Sequence, residues 1–204
     1  YIFGIDRVSS DDGLFAPYSL INAQDRIFFL SPQGFKMLLP GGYPEPIGKE
    51  RVDRTFFDDL DESNIQLMIG ASDPRSTRVY WAYKSVNGAT GRFDKILCYD
   101  WALDKWTPIT MSGEYLASLS RPGITLEGVD AAYGSNIDTL SLSSLDDISN
   151  AAFAQASTVD TLHKLAFFTG ANLEATLQTS EQGNPGGRIR VQGFSPITDA
   201  PVVY

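Results

Sequence analysis

The segment "FDKILCYDWALDKWTPI" (residues 93–109) reads as an apolar strand that runs into Tyr99-Asp100, a short polar turn, and a second strand carrying Trp106. Two apolar runs separated by so short a polar link are the pattern of an antiparallel hairpin. Upstream, "IQLMIGA" (residues 65–71) sets Ile65, Leu67, Ile69 and Ala71 on one face. Next, "RVYWAYK" (residues 78–84) alternates Val79, Trp81 and Tyr83 against Arg78, Tyr80, Ala82 and Lys84. The link "SDPRST" is a turn in which Pro74 presets φ, and "SVNGATGR" is a looser loop around Asn87-Gly88. Residues 64–109 therefore predict four consecutive antiparallel strands. The middle ones are apolar on both faces, as in a sheet covered on both sides. Such a unit has the size of one β-propeller blade. It also suits a plain meander in a sandwich, and periodicity leaves both architectures open.

Two further hairpins flank this unit. "RIFFLSPQGFKML" (residues 26–38) and "KLAFFTGANLEATL" (residues 164–177) align from their first residue, Arg26 on Lys164, Phe29 on Phe167, and Gly34 on Asn172. Each reads as strand, four-residue polar turn, strand, which favours a fold of repeated β units. "GRIRVQGFSPI" (residues 187–197) adds another strand. Between the first hairpin and the four-strand unit, Val52, Phe56 and Leu60 recur at helical spacing, with Phe57 widening the stripe. A short inserted helix is expected over residues 49–60. Residues 116–161 are small and polar with scattered Leu and Ile, and read as a long irregular excursion. The fold class is mainly β, built of antiparallel four-stranded meander units, propeller-like and incomplete within these residues.

The chain has 204 residues, 43% hydrophobic and 20% charged, enough for one sizeable core. Tyr1 is not an initiator Met, and the closing "PVVY" reads as a strand cut in the middle. Residues 1–204 are thus expected to be a fragment of a larger β-rich domain. The net charge of −9 argues against binding the nucleic-acid backbone, which needs clustered Lys and Arg. No apolar run approaches the roughly 18 residues of a membrane span. The single cysteine, Cys98, permits no internal disulfide and sits in an apolar strand, where a thiol is inert packing.

Candidate chemistry is sparse. The only histidine, His163, precedes a strand without a G-x-S-x-G elbow anywhere in the chain, and is expected at the surface or a strand edge. The acidic clusters are "SSDDG" (residues 9–13), "DDLDES" (58–63) and "LDD" (145–147). None has calcium-loop spacing, and each reads as structural or solvated. A glycan hydrolase would use an acidic pair such as Asp58 and Asp61, but the sequence shows no raised-pKa environment for a general acid. "NPGG" (residues 184–187) lacks the Lys and Ser/Thr of a phosphate loop and reads as a hairpin turn. Trp101 in its turn, with Tyr43 and Tyr115, forms the candidate surface for stacking a ligand or partner. No cofactor or metal is implied.

The ordered series "RIFFLSPQGFKML", "PIGKERVDRTFFDDLD", "DPRSTRVYWAY", "DKILCYDWALDKW" and "HKLAFFTGANLEATLQT" resembles the propeller-bearing tail-tube, nozzle or hub proteins of short-tailed phages and related prophages. The likeness spans residues 27 to about 179. It implies a non-enzymatic structural virion component of the tail or neck, made in the bacterial host cytoplasm. Such a protein forms a homo-oligomeric ring beside other tail and portal-side proteins. DNA passes through without sequence-specific binding, and no membrane is involved. An acidic channel wall would keep the phosphates from sticking. In this likeness Trp81, Tyr99, Asp100 and Trp106 are structural blade residues, with Trp106 largely buried against the neighbouring blade and Asp100 placed to cap the turn. The alternative from the exposed aromatics is a carbohydrate- or receptor-binding propeller module.

Overall fold

In a computed structural model, which describes residues 7–120 and 154–168, the chain forms three antiparallel sheets joined by a few helical turns. The first sheet runs in order through β1 (Ile21–Ala23), β2 (Arg26–Ser31), β3 (Gly34–Leu38) and β4 (Glu45–Pro46). Its centre is the expected hairpin, paired from Ile27↔Leu38 to Ser31↔Gly34. Gly34 takes φ +123°, a conformation open to glycine and strained for other residues. The flanking strands β1 and β4 are only 3 and 2 residues long, too short to leave a periodic signal.

The second sheet is the predicted meander, β5 (Ile69–Asp73), β6 (Arg78–Tyr83), β7 (Phe93–Asp100) and β8 (Lys105–Gly113), in that order. The opening hairpin pairs Tyr99 with Trp106 and Asp100 with Lys105. Asp100 caps the turn as expected: its Oδ1 accepts the Ala102 and Leu103 N–H groups at 3.1 and 3.3 Å and the Thr77 hydroxyl at 2.7 Å. Pro108 is tolerated because β8 is the last strand of its sheet, where a missing N–H breaks no central ladder.

The first strand of this sheet starts later than the alternation suggested. Residues 62–67 form a 3-10 helix, because the Asp61 carboxylate accepts the Ser63 N–H and holds the chain in a turn. Only Ile69 and Ala71 of the predicted face are in β5. The inserted helix is also shorter than residues 49–60, running as α1 over Asp53–Asp59. Glu50 has φ +60°, which breaks a helix, and the Gly48 carbonyl instead gathers the N–H groups of Arg51, Val52 and Asp53.

The excursion expected over residues 116–161 is strand at both ends. β9 (Tyr115–Ser120) and β10 (Ala154–Val159) pair through six residues, and β11 (Leu165–Phe167) completes the order β11-β10-β9. The small residues that looked irregular are what a close-packed sheet accepts: Ala156, Ser157 and Thr158 are all buried. The second arm of the hairpin aligned at 164–177, the strand at 187–197, the 184–187 turn and the 145–147 cluster lie outside the described residues.

The second sheet is covered on both faces, as its apolar middle strands predicted. Val79, Trp81, Tyr83, Leu97 and Tyr99 share one core with Phe28, Leu30 and Phe35 of the first sheet and Phe56 of α1. On the other face, Ala82, Phe93 and Ile96 pack with Leu116 of β9. The leading strands also meet in series, β1 against β5 and β5 against β9. Gly70 permits the first approach, since a Cβ there would lie 2.5 Å from Ile21 Cγ1. Gly113 permits a close contact with the third sheet, where a Cβ would lie 2.7 Å from Thr158 Oγ1.

Trp81 is fully buried, and its indole N–H donates to the Ser19 carbonyl at 2.9 Å. Trp106, on the outer strand β8, is less completely buried than Trp81. Its ring packs 4.6 Å from Tyr99 of its own sheet and reaches the neighbouring sheet at Phe35, 5.1 Å away, and its N–H donates to the Ile47 carbonyl at 3.2 Å. No helix among the described residues is long and apolar enough to cross a membrane.

Trp81→Ala is expected to cost about 3–5 kcal/mol in equilibrium denaturation, as for other deleted core aromatics. Trp106→Ala should cost less, because its side chain is less completely buried. Gly70→Ala should cost about 1–3 kcal/mol through overpacking against Ile21. Greater damage from Trp106→Ala than from Trp81→Ala would show that the seam between the sheets is held from β8, not β6.

Candidate functional site

The three aromatics of the candidate surface lie on three different sheets. Tyr43 sits in the β3–β4 loop and is 77% exposed, and Tyr115 opens β9 at 52% exposed. Trp101 corrects the expectation of a free stacking face. It is half-buried, with its ring 5.4 Å from that of Phe28, because its backbone N–H donates to the Thr77 carbonyl and turns the residue toward the core. The groove that Tyr43 lines contains neither of the other two.

Within the acidic run at 58–63, Asp59 and Asp61 are engaged by the fold. Asp59 at the end of α1 accepts the Lys95 ammonium at 2.8 Å and the Tyr83 hydroxyl at 2.9 Å. Asp61 accepts buried Lys84 at 2.7 Å. Together these bonds dock the helix and the following turn onto β6 and β7. Lys84, then the Asn64 amide, hold the Asp61 carboxyl below the ordinary aspartate value. For Asp61 that is the opposite of what a general acid needs. In the 9–13 cluster, Asp12 pairs with Lys36 at 3.1 Å.

His163 is at the surface as expected, in a left-handed conformation, with Nδ1 2.7 Å from a Glu114 carboxylate oxygen. Cys98 is buried, and burial pushes its thiol up to about 11, away from the reactive thiolate. Among the described residues, no group of three or more His, Cys, Asp or Glu could hold a metal ion.

Two polar arrangements escaped the sequence. At the outer edge of the first two sheets, a cleft of about 460 Å³ is lined by Met37, Glu45, Lys49, Arg51, Tyr99 and Asp104. There Arg51 forms an ion pair with Asp104, and the Tyr99 hydroxyl donates to the same carboxylate at 3.0 Å. Arg51 holds the Asp104 carboxyl below its ordinary value, and burial raises the Tyr99 phenol to about 12. The Arg51–Asp104 pair ties the loop before α1 to the β7–β8 turn.

The second is Asp53, the first residue of α1, which is buried. Its Oδ1 accepts the Phe35 N–H at 3.2 Å, and the carboxylate lies against both Gly34 and Gly48, leaving no room for a Cβ at either. The sequence signal was two glycines and an Asp at unrelated spacings, meaningful only once the hairpin turn has folded onto the helix. No family model matches the chain, and no curated protein matches it.

Burial is the main cause that raises the Asp53 carboxyl above its ordinary value of 3.8, with the Phe35 N–H and Lys36 opposing. A raised folded pKa means that the folded state holds the proton more tightly. The stabilisation is present below the ordinary value and is lost as pH rises through the folded value. Asp53→Asn keeps an oxygen for the Phe35 N–H and removes the desolvated charge. It is expected to match or exceed the parent in stability at pH 7, with the gap closing in acid. Asp53→Leu, which orphans the N–H, should cost about 1–3 kcal/mol. Urea denaturation from pH 3 to 7 measures both; a parent more stable than Asp53→Asn at pH 7 would show that the carboxylate charge stabilises the fold.

Proposed function

We propose that the chain is a structural subunit of a phage tail or neck, of the nozzle or hub type. In this reading its three sheets are consecutive blades of a β-propeller-like ring around the path of DNA ejection. The observation that carries the reading is the stacking: leading strands β1, β5 and β9 meet in series, and the middle sheet is covered on both faces. Successive four-stranded sheets arranged about a channel meet their neighbours in this way. The ordered sequence phrases point in the same direction, and Asp59 and Asp61 of the 58–63 run are spent on docking α1 and the turn after it.

In this reading the axial wall differs from the acidic wall first expected. The leading strands carry Asn22, Gly70, Ser72, Ala117 and Ser118, with Asp73 as their one charged residue. A wall with so little charge offers phosphates no cations to bind and only a weak field to cross. Every other described acidic residue lies outside these leading strands, where negative charge keeps DNA from adhering.

Negative-stain imaging of the full-length protein, alone or in the particle, is expected to show rings. A strictly monomeric protein absent from virions overturns the proposal. Duplex DNA mixed with the protein at low salt is expected to run unshifted in a native gel, and a retarded complex would remove the passive-conduit mechanism.

A further inference from the structure

The open end of the β2–β3 hairpin carries a groove of about 370 Å³, at the lower end of the range for small-molecule sites. Its walls include Arg7, Asp25, Ile27, Leu38, Leu39 and Tyr43. Tyr43 is the most exposed large hydrophobic side chain among the described residues. Its loop is built to present it. The chain turns through Pro40-Gly41, Gly41 takes φ +73°, and the Gly42 N–H closes the turn on the Leu39 carbonyl at 3.0 Å. Pro followed by a positive-φ Gly is the composition of a tight type II turn, so the backbone before the ring is pre-ordered. A Cβ at Gly41 would meet nothing within 4 Å, so the space beside the turn is open.

The polar groups are held in place as well. The Arg7 guanidinium donates to the Ser9 and Ser10 carbonyls at 3.1 and 3.2 Å, which fixes the side chain and leaves donors to spare. Asp25 pairs with Arg26 at 3.4 Å while remaining largely exposed. The groove thus combines an aromatic face and aliphatic walls with one fixed donor and one acceptor of opposite charge.

We infer that this groove is a binding site for a neutral saccharide, with a pyranose ring stacked on Tyr43 and its hydroxyls hydrogen-bonded by Arg7 and Asp25. A sugar ring matches the chemistry on each side: an apolar C–H face for the phenol ring, and hydroxyls that both donate and accept at its edge. Arg7 and Asp25 cancel in charge, and the chain as a whole carries −9, so an anionic glycan gains nothing here. The site is independent of ring assembly.

Saturation-transfer NMR on the full chain tests this, with the methyl glycosides of glucose, galactose, mannose, rhamnose and N-acetylglucosamine as probes and cyclohexanol as an apolar control. Transfer to the ring C–H protons of at least one glycoside is expected. Tyr43→Phe should retain it, and Tyr43→Ala should weaken binding about tenfold or more. Asp25→Asn should weaken it while leaving the stacked face in contact. Tyr43 is exposed, so denaturation midpoints of these variants should match the parent and exclude misfolding. No transfer to any glycoside overturns the proposal, as does transfer undiminished in Tyr43→Ala. Transfer to cyclohexanol alone assigns the groove to an apolar occupant and overturns it too.

Discussion

The contact between Phe35 of β3 and Trp81 of β6, with ring centroids 4.7 Å apart, joins the first two sheets and organises what surrounds them. Phe56 of α1 packs on Phe35 at 4.8 Å, and Trp106 of β8 packs on it from another side at 5.1 Å. Phe28 adds edge contacts to Trp81 and Tyr99. An indole can be buried this deeply only if its N–H is satisfied, and the Ser19 carbonyl does that. Ser19 is itself fixed, since its hydroxyl donates to Ala16 and accepts the Leu30 N–H. The short helical turn before β1 is therefore part of the core, although it contributes almost no apolar area.

Around this aromatic seam, polar groups decide orientation. Asp53 links α1 to the hairpin turn through Phe35, the residue at the centre of the seam. Asp59 and Asp61 fix the far end of the helical segment to Lys95 and Lys84. Arg51 and Asp104 close the outer edge beside Tyr99. Burying apolar rings is non-directional and would accept several packings. Carboxylates that must meet particular N–H groups and ammonium groups accept far fewer. That is a physical reason for so acidic a chain to carry clusters without a catalytic arrangement.

The stack of sheets depends on close approach as much as on burial. Gly70 brings β5 against Ile21, and Gly113 brings β8 against Thr158. Both lie where one sheet meets the next, so the spacing of the leading strands is set by missing side chains. The resulting series of sheets is the feature on which the conduit reading rests. The saccharide groove lies at a strand end, away from these faces, and makes no demand on them.

The order and pairing of β5 to β8 were legible because alternating Val79, Trp81, Tyr83 and a nearly continuous apolar β7 are local patterns with a period of two. The β2–β3 hairpin and the capping role of Asp100 were legible for the same reason, since turn chemistry acts within two or three residues. What failed was also local: the apparent alternation at Ile65 and Leu67 yielded to a side-chain cap from Asp61, and Glu50 cut short the predicted helix. Short strands such as β1 and β4, and the small-residue strands β9 and β10, carry no signal of their own; their partners create them. The burial of Trp81 was legible in the same alternation, whereas where Trp101 turns and why Asp53 faces Gly34 and Gly48 were decided by tertiary structure alone. Those outcomes depend on groups distant along the chain, such as Asp53 and Phe35 18 residues apart, brought together only when the sheets pack.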